Sequence, residues 1–277
     1  MERWSVGDSV ITRVPDENFE LIVPQDEATR SVLRSQASWL SPFFVTDAFD
    51  LRVGTSAIAI ESPGARVVVD PWLVFDDADR TTPDAAARID RLLARLAEAG
   101  FPTESVDVVV NTHIDGVGAN TRPADGGEVP AFPNARYVIA SAEIAALDAG
   151  VRPGAEPFGA LCASGLVDEP RGQVAGEVSV EPGPGHSPGH HVVRIGPAGH
   201  DAVIVGHLFL HPAQVYAPNP RAGLDEDVEL AANTRRALLA RAADEKTLVI
   251  GPLWATPGAG TIVPADEPGR WRLEPAG

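Results

Sequence analysis

Three histidine-bearing segments carry the residues best able to do chemistry in this sequence. His113 and His207 each follow an apolar run, and His186 lies in a stretch rich in Pro and Gly. Neutral imidazole binds zinc and related divalent ions well, and three imidazoles with a water form a known catalytic zinc shell. Three such segments therefore predict a site in which histidines hold a metal ion. The alternative for each histidine is a polar turn residue or a hydrogen-bonded core residue.

Two side chains are candidates for acid–base catalysis. Asp115 lies two residues after His113, and His207 is the other candidate. A carboxylate close to a metal, or in a partly dry pocket, can act as a general base or acid. The alternative role for Asp115 is to cap the backbone N–H groups of the turn at residues 116–118.

Four aromatic side chains follow strand-like runs or lie in the loops after them. They are candidates for lining an apolar pocket for an organic ligand. They are Trp72, Phe209, Tyr216 and Trp254. The alternative is core packing, in particular for Trp72.

Composition excludes several classes of function. The formal net charge of −17 disfavours binding to nucleic acid or to anionic membrane surfaces, so a small organic molecule is the expected partner. The one cysteine, Cys162, allows neither an intramolecular disulfide nor a thiolate cluster. Neither a signal segment nor a membrane-length apolar run is evident, which predicts a cytoplasmic protein. Arg far outnumbers Lys, which is typical of a bacterium with GC-rich DNA.

Strands and helices alternate along the chain, and several strands come as hairpins, so the sequence predicts mixed sheets. Helices are predicted at 27–40, from a cap at Thr82 to Gly100, from about Ala142, and at 225–243. We expect one domain over residues 1–277, with an N-terminal arm of about 50 residues. Strands are predicted at 9–13, 56–61, 65–70, 106–111, 136–140, 177–181, 192–195, 202–205 and 247–250.

The order of several short motifs resembles the metallo-β-lactamase-fold hydrolases, especially the lactonase and aryl- or phosphotriesterase-like branch. The resemblance extends from about Val6 to about Glu274. The motifs are Val69-Asp70, Asn111-Thr112-His113, Phe132-Pro133-Asn134-Ala135, Pro184-Gly185-His186-Ser187-Pro188-Gly189-His190, His211-Pro212-Ala213-Gln214, Thr234-Arg235-Arg236 and Gly251-Pro252. This resemblance implies an α/β (α+β type) fold, a four-layer αβ/βα sandwich of two mixed sheets. It also implies an arm that covers the pocket or supports a homodimer.

The resemblance implies a binuclear metal site, but this sequence departs from the family's ligand set. His113, Asp115 and His186 match family ligands, and His190 matches a structural histidine. The second histidine of the family's H-x-H-x-D-H motif is missing. Gly116, His207 and Leu253 stand where the family has its last motif histidine, its bridging aspartate and its terminal histidine. The site is therefore expected to be degenerate, with at most one divalent metal (zinc, iron or manganese), held by His113, His186 and His207, or with none.

Three functions stay open on this basis. The first is hydrolysis of an ester, lactone or amide-like small molecule with at most one metal. The second is metal-independent acid–base chemistry, such as an isomerisation, elimination or cyclisation, in secondary metabolism. The third is a non-catalytic relict that binds a ligand or a partner.

Overall fold

A computed structural model describes residues 1–71, 82–116, 118–148, 155–197, 201–217 and 225–276. The predicted pocket residue Trp72 lies outside the described residues. No helix in these ranges is both long enough and apolar enough to cross a membrane.

Sixteen strands and seven α-helices occur in the described parts of the chain. The strands are β1 (Glu2–Val6), β2 (Ser9–Val23), β3 (Leu51–Ser62), β4 (Ala65–Val69), β5 (Val108–Val110), β6 (Thr121–Ala124), β7 (Gly127–Pro130), β8 (Arg136–Val138), β9 (Val167–Asp168), β10 (Gln173–Ala175), β11 (Val178–Pro182), β12 (His191–Ile195), β13 (Ala202–Ile204), β14 (Leu248–Ile250), β15 (Ala259–Pro264) and β16 (Trp271–Pro275). The helices are α1 (Glu27–Ser35), α2 (Ala37–Leu40), α3 (Pro83–Glu98), α4 (Ser141–Asp148), α5 (Ala155–Ala163), α6 (Ala213–Tyr216) and α7 (Val228–Glu245).

Two seven-stranded mixed sheets form the centre of the fold. The first has the order β1-β2-β3-β4-β5-β8-β9 and the second runs from β10 to β16 in sequence order. Strands β4, β5, β8 and β9 are parallel to one another, and so are β13 and β14. The carboxyl ends of parallel neighbours lie at one edge of a sheet, so the loops after β5 and β13 are placed where sites are commonly built.

The sheets pack face to face, and helices cover their outer faces. Successive side chains of β4 point to opposite faces of the first sheet. Val67 and Val69 belong to the cluster between the sheets, while Val68 faces α3. The outer face of the second sheet packs on α7 and on the α1–α2 segment. The expected four-layer αβ/βα sandwich is therefore confirmed.

The N-terminal segment differs from its predicted form. Strand β2 runs on to Val23, where a strand of only five residues was predicted, because it pairs with β3 over Val10–Pro15 and, after a shift in register, again over Glu20–Val23. The predicted helix at 27–40 is interrupted at Gln36, whose φ of −108° and ψ of 14° end α1 before α2 begins. The first strand of the chain, β1, is an edge strand of the first sheet, and β2 lies between it and β3.

The start of α3 agrees with the prediction. The Thr82 hydroxyl accepts a hydrogen bond from the Ala85 amide at 3.2 Å, and Pro83 occupies the first turn. The apolar face of this helix, Ile89, Leu92 and Leu96, is buried against the first sheet.

We expect Thr82→Ala to lower the free energy of unfolding by about 1 kcal/mol, because an amide of the first turn loses its acceptor. Chemical denaturation of both proteins measures this change. Thr82→Ser keeps the acceptor oxygen and should stay close to wild type. Equal stability of the alanine variant and the wild type would show that the cap contributes nothing.

Candidate metal centre

Three loops bring the predicted histidines together. His113 follows β5, His186 lies between β11 and β12, and His207 lies in the 3₁₀ turn Gly206–Phe209 that follows β13. Gly206 has a φ of 55°, and a Cβ at that position would lie 2.5 Å from Thr112 Oγ1 and 2.7 Å from His190 Nε2. Only glycine allows this close approach of the His207 turn to the His113 loop.

The three imidazoles meet at one carboxylate oxygen. Asp115 Oδ2 lies 3.1 Å from His113 Nε2, 3.4 Å from His186 Nε2 and 2.5 Å from His207 Nδ1. The four candidate ligand atoms lie within 4.8 Å of one another. The imidazoles are buried, whereas the Asp115 side chain is 23% exposed. The cluster therefore has buried nitrogen atoms and a carboxylate that is partly exposed to solvent.

The donor set fits a divalent metal ion. Three imidazole nitrogens and one carboxylate oxygen are typical zinc ligands, and ligand atoms of a tetrahedral zinc site are roughly 3.3 Å apart. The contacts of His113 and His186 with Asp115, at 3.1 and 3.4 Å, agree with that spacing. The contact between His207 and Asp115, at 2.5 Å, is instead that of a short charge-assisted hydrogen bond.

Hydrogen bonds orient the His113 ring. Thr112 Oγ1 lies 2.7 Å from Asp70 Oδ2 and 2.9 Å from His113 Nδ1. The Thr112 amide also donates to Asp70 Oδ1 at 2.8 Å. These contacts hold the ring with its Nε2 directed at Asp115 Oδ2, 3.1 Å away.

A second carboxylate lies behind His186. Asp225 Oδ1 is 3.4 Å from His186 Nδ1, and both Asp225 oxygens accept hydrogen bonds of 2.8 Å from Arg235. Arg235 also donates to the Leu208 carbonyl, next to His207. Neither nitrogen of His186 forms a hydrogen bond within the described ranges, although each lies close to a carboxylate. Such buried imidazole nitrogens are suited to bind a cation.

Glu143 joins two of the histidine loops. Its buried carboxylate accepts hydrogen bonds from the Ile114 amide at 2.9 Å and from the Gly189 amide at 2.8 Å. The predictions from sequence missed Glu143, and they also missed Asp225. Glu143 is one acidic residue in the first turn of a short helix, which is an ordinary position and gives no signal of its role.

Of the comparisons with known proteins, those with solved structures found matches. No protein-family model matches the chain, and no curated protein does. A solved dizinc quorum-quenching lactonase, AidC, in complex with a product, aligns with a TM-score of 0.77 at 16% identity, over 100% of this chain and 97% of that chain. The hydrolase AbOPH of the beta lactamase superfamily aligns with a TM-score of 0.72 at 19% identity, over 99% of this chain and 97% of that chain. A probable metal-dependent hydrolase from Staphylococcus aureus aligns with a TM-score of 0.71 at 15% identity, over 99% of both chains.

This chain has the metallo-β-lactamase fold. The candidate site lies on the loops that follow β5, β11 and β13, and its charge distribution follows from burial and close contact. Burial by itself would raise the pKa of Asp115, but attraction to His113 and the close contacts with all three histidine rings outweigh it and hold that pKa well below its usual range. Asp115 is therefore a stable anion and a weak base.

The histidines of this metallo-β-lactamase fold differ in their ease of protonation. Burial would lower the pKa of His186, but its hydrogen-bonding contacts with Asp115 and Asp225 raise it above the usual value. Burial and repulsion from His186 lower the pKa of His207 to about 4. Burial and the neighbouring histidines hold the pKa of His190 well below the usual value. His207 and His190 are thus neutral near pH 7, the state in which imidazole binds a metal.

The predicted pocket aromatics do not line the cluster as a group. Phe209 and Trp254 are fully buried in the core beneath α7, and the Trp254 indole N–H donates to the Phe209 carbonyl at 3.0 Å. Tyr216 is half-buried, with its hydroxyl 2.8 Å from Glu267 and the Arg270 guanidinium 5.5 Å from its ring. Substrate binding by these residues stays a prediction.

His211 links the site segment to the N-terminal segment. Its Nδ1 accepts a hydrogen bond from the Ala213 amide at 3.0 Å, so its Nε2 donates to the Phe44 carbonyl at 2.6 Å. Burial lowers the pKa of His211 to about 4, against the opposing effect of the Phe44 hydrogen bond. The neutral ring is therefore the form that the fold stabilises.

We expect this burial to make the fold weaker in mild acid. The unfolded His211 has a pKa of about 6.5, so between pH 6.5 and 4 the unfolded chain binds a proton that the folded chain excludes. His211 then contributes a loss of stability of up to about 1.4 kcal/mol for each pH unit of acidification in that window.

Denaturation at a series of pH values measures this slope. His211→Gln should reduce it, whatever its effect on stability at pH 7. Phe44→Leu is the control, because it disturbs the ring that packs on His211, with centroids 6.3 Å apart, and leaves the titrating group in place. A slope unchanged in His211→Gln would contradict the interpretation.

Proposed function

We propose that this protein is a hydrolase of small organic molecules that binds one divalent metal ion through His113, His186 and His207. The observation that carries the proposal is the convergence of three buried imidazole nitrogens on Asp115 Oδ2. Catalytic zinc sites commonly have three protein ligands and one position open to water or substrate.

The charge of Asp115 gives further support for a cation. His113 Nε2, His186 Nε2 and His207 Nδ1 lie 3.1, 3.4 and 2.5 Å from Asp115 Oδ2. Because Asp115 stays ionised among these nitrogen atoms, the cluster is electrostatically suited to a divalent cation.

The residue types around the cluster favour one ion over two. Among the residues that the structure describes, one group of side chains brings possible metal-ligand atoms close enough together to hold an ion. Gly116 and Leu253, which stand where the family has further histidines, offer no ligand atom. A single ion held by the three histidines, with Asp115 as an additional ligand or as a neighbouring charge, is the arrangement we propose.

A bound ion would polarise a carbonyl group and lower the pKa of a water molecule, which are the requirements for hydrolysis of an ester, a lactone or an amide. The protein's own residues orient the ligands for this role. Thr112 and Asp70 hold the His113 ring, while Asp225, itself held by Arg235, lies behind His186. Asp115 keeps a negative charge on the open side of the cluster.

The neighbours with the same fold are consistent with this class of reaction. They include a lactonase and a probable metal-dependent hydrolase, according to their descriptions. Function depends on the site and not on the fold, so we rest the proposal on the residues of the cluster.

One observation favours a second candidate, in which the cluster works without metal. The 2.5 Å hydrogen bond between His207 Nδ1 and Asp115 Oδ2 is a carboxylate–imidazole pair of the kind that serves in acid–base catalysis. In this candidate His207 exchanges the proton, and Asp115 orients the ring and stabilises its charged form.

We expect the purified protein to contain about one equivalent of zinc, iron or manganese per chain, measured by elemental analysis of protein made without an affinity tag rich in histidine. His186→Ala should lose most of this metal, because it removes a buried nitrogen ligand. His191→Ala, which changes a half-buried histidine outside the cluster, is the control. Turnover of a panel of esters and lactones should fall with metal content and return when metal is added.

The other outcomes separate the alternatives. Turnover without bound metal, abolished in both His207→Ala and Asp115→Asn, would support the acid–base candidate. Neither metal nor turnover, even after incubation with excess zinc, would overturn both and leave a ligand-binding protein.

We further expect Asp225→Asn to weaken metal affinity about 10- to 100-fold, since residues behind metal-binding histidines typically contribute that much. Competition with a coloured chelator measures the affinity. Glu226→Gln changes the adjacent, exposed carboxylate by the same chemistry and should leave affinity unchanged. Unchanged metal affinity in a folded Asp225→Asn protein would show that Asp225 does not support metal binding.

A further inference from the structure

The loops that carry two of the candidate metal ligands belong to different sheets. His113 follows β5 of the first sheet, whereas His186 lies between β11 and β12 of the second sheet. Their rings nevertheless approach each other closely, with centroids 5.1 Å apart. Because metal–ligand distances are set to within about 0.2 Å, the two loops must be fixed relative to each other for these rings to share an ion.

One buried carboxylate connects these two loops directly. Glu143 lies in the first turn of α4 and is 1% exposed. Its Oε2 accepts a hydrogen bond from the Ile114 amide at 2.9 Å, and its Oε1 accepts one from the Gly189 amide at 2.8 Å. Ile114 directly follows His113, and Gly189 lies three residues after His186. The two oxygens of one side chain thus set the distance between a peptide group beside each ligand loop's histidine.

Close packing at Gly189 brings the second loop onto this carboxylate. A Cβ at Gly189 would lie 2.9 Å from Ala140 Cβ, 2.9 Å from Glu143 Cγ and 3.1 Å from Glu143 N. Distances this short are not tolerated, so a larger residue at this position would move the loop away from α4. The loop therefore reaches Glu143 because position 189 has no side chain.

A backbone hydrogen bond also connects the same two loops. The His191 amide donates to the Thr112 carbonyl at 2.8 Å. One bond of this kind acts as a pivot, because a separate second contact is needed to fix the relative orientation of two segments. The two hydrogen bonds of Glu143 supply that second contact.

From these contacts we propose that Glu143 is a positioning residue of the metal centre, which holds His113 and His186 at the spacing that a shared ion requires. The inference rests on the proposed function, and Glu143 acts in it through backbone amides and not through contact with the ion. Both of its oxygens accept an amide, so a side chain with one acceptor oxygen cannot replace it. A site held in place in this way binds more tightly, because less ordering is needed on binding.

Two variants remove this bridge from opposite ends. Glu143→Gln keeps the shape but places an N–H donor opposite one of the two amides, and Gly189→Ala moves the second loop off the carboxylate. We expect each variant to weaken metal affinity about tenfold or more, because residues that orient metal ligands typically contribute that much. Competition with a coloured chelator measures the affinity. The absorption spectrum of the cobalt-loaded protein should change as well, because it reports the geometry of the ligands.

Glu169→Gln is the matched control for the chemistry of the substitution. Its exposed carboxylate accepts a hydrogen bond from the Ser141 amide at 2.9 Å, at the start of the same helix. Among the residues that the structure describes, the hydrogen bonds of this side chain go to Ser141 alone. Thr82→Ala is the control for a general loss of stability. Both controls should keep the metal affinity and the cobalt spectrum of the wild type.

Unchanged affinity and an unchanged cobalt spectrum in folded Glu143→Gln and Gly189→Ala proteins would overturn the proposal. So would an equal loss of affinity in Thr82→Ala, which would trace the effect to general stability. If the wild type itself binds no metal, the proposed function fails, and crystal structures then decide the role of Glu143. The separation of the His113 and His186 rings should then increase in Glu143→Gln by about 0.5 Å or more, the tolerance of a preorganised site, and an unchanged separation would reject the positioning role.

Discussion

Three buried imidazole rings lie close to one carboxylate, and several networks of buried polar side chains hold them there. Burying several titratable groups together is costly unless their charges and hydrogen bonds compensate one another. Asp115 supplies the compensating negative charge for His113, His186 and His207. The surrounding scaffold keeps the three loops in register through Asp70 and Thr112, through Asp225 and Arg235, and through Glu143. Several buried polar networks thus support a site of four side chains.

Much of the architecture could be predicted from the sequence, because its signals are local or periodic. The cap at Thr82, the apolar face of α3 and the short valine-rich strands depend on a few neighbouring residues. The N-terminal segment was predicted less well. The length of β2 is set by pairing with β3, and residues 17–23 carry no strong strand pattern of their own. No proline or glycine marks the break between α1 and α2 at Gln36 in the sequence. Tertiary contacts decide both features.

The site was predictable in its main members and not in its supporting residues. Histidines at the ends of apolar runs give a clear signal, and the structure brings His113, His186 and His207 together with Asp115. Glu143 and Asp225 act through distant backbone amides and side chains, so their roles depend on the folded geometry and not on sequence spacing. Phe209 and Trp254 are buried in the core, and their contact with a ligand stays a prediction, since aromatic residues in strand-end loops are as suited to core packing as to ligand contact.

The carboxylate of Glu143 has a consequence for the dynamics of the histidine loops. It accepts one amide from the loop that carries His113 and one from the loop that carries His186 and His190. Opening either loop breaks one of these bonds and removes one partner of a buried carboxylate, which raises the cost of opening one loop alone. The two loops therefore form one cooperative unit of local unfolding, and the amide hydrogens of Ile114 and Gly189 exchange with solvent through the same opening event.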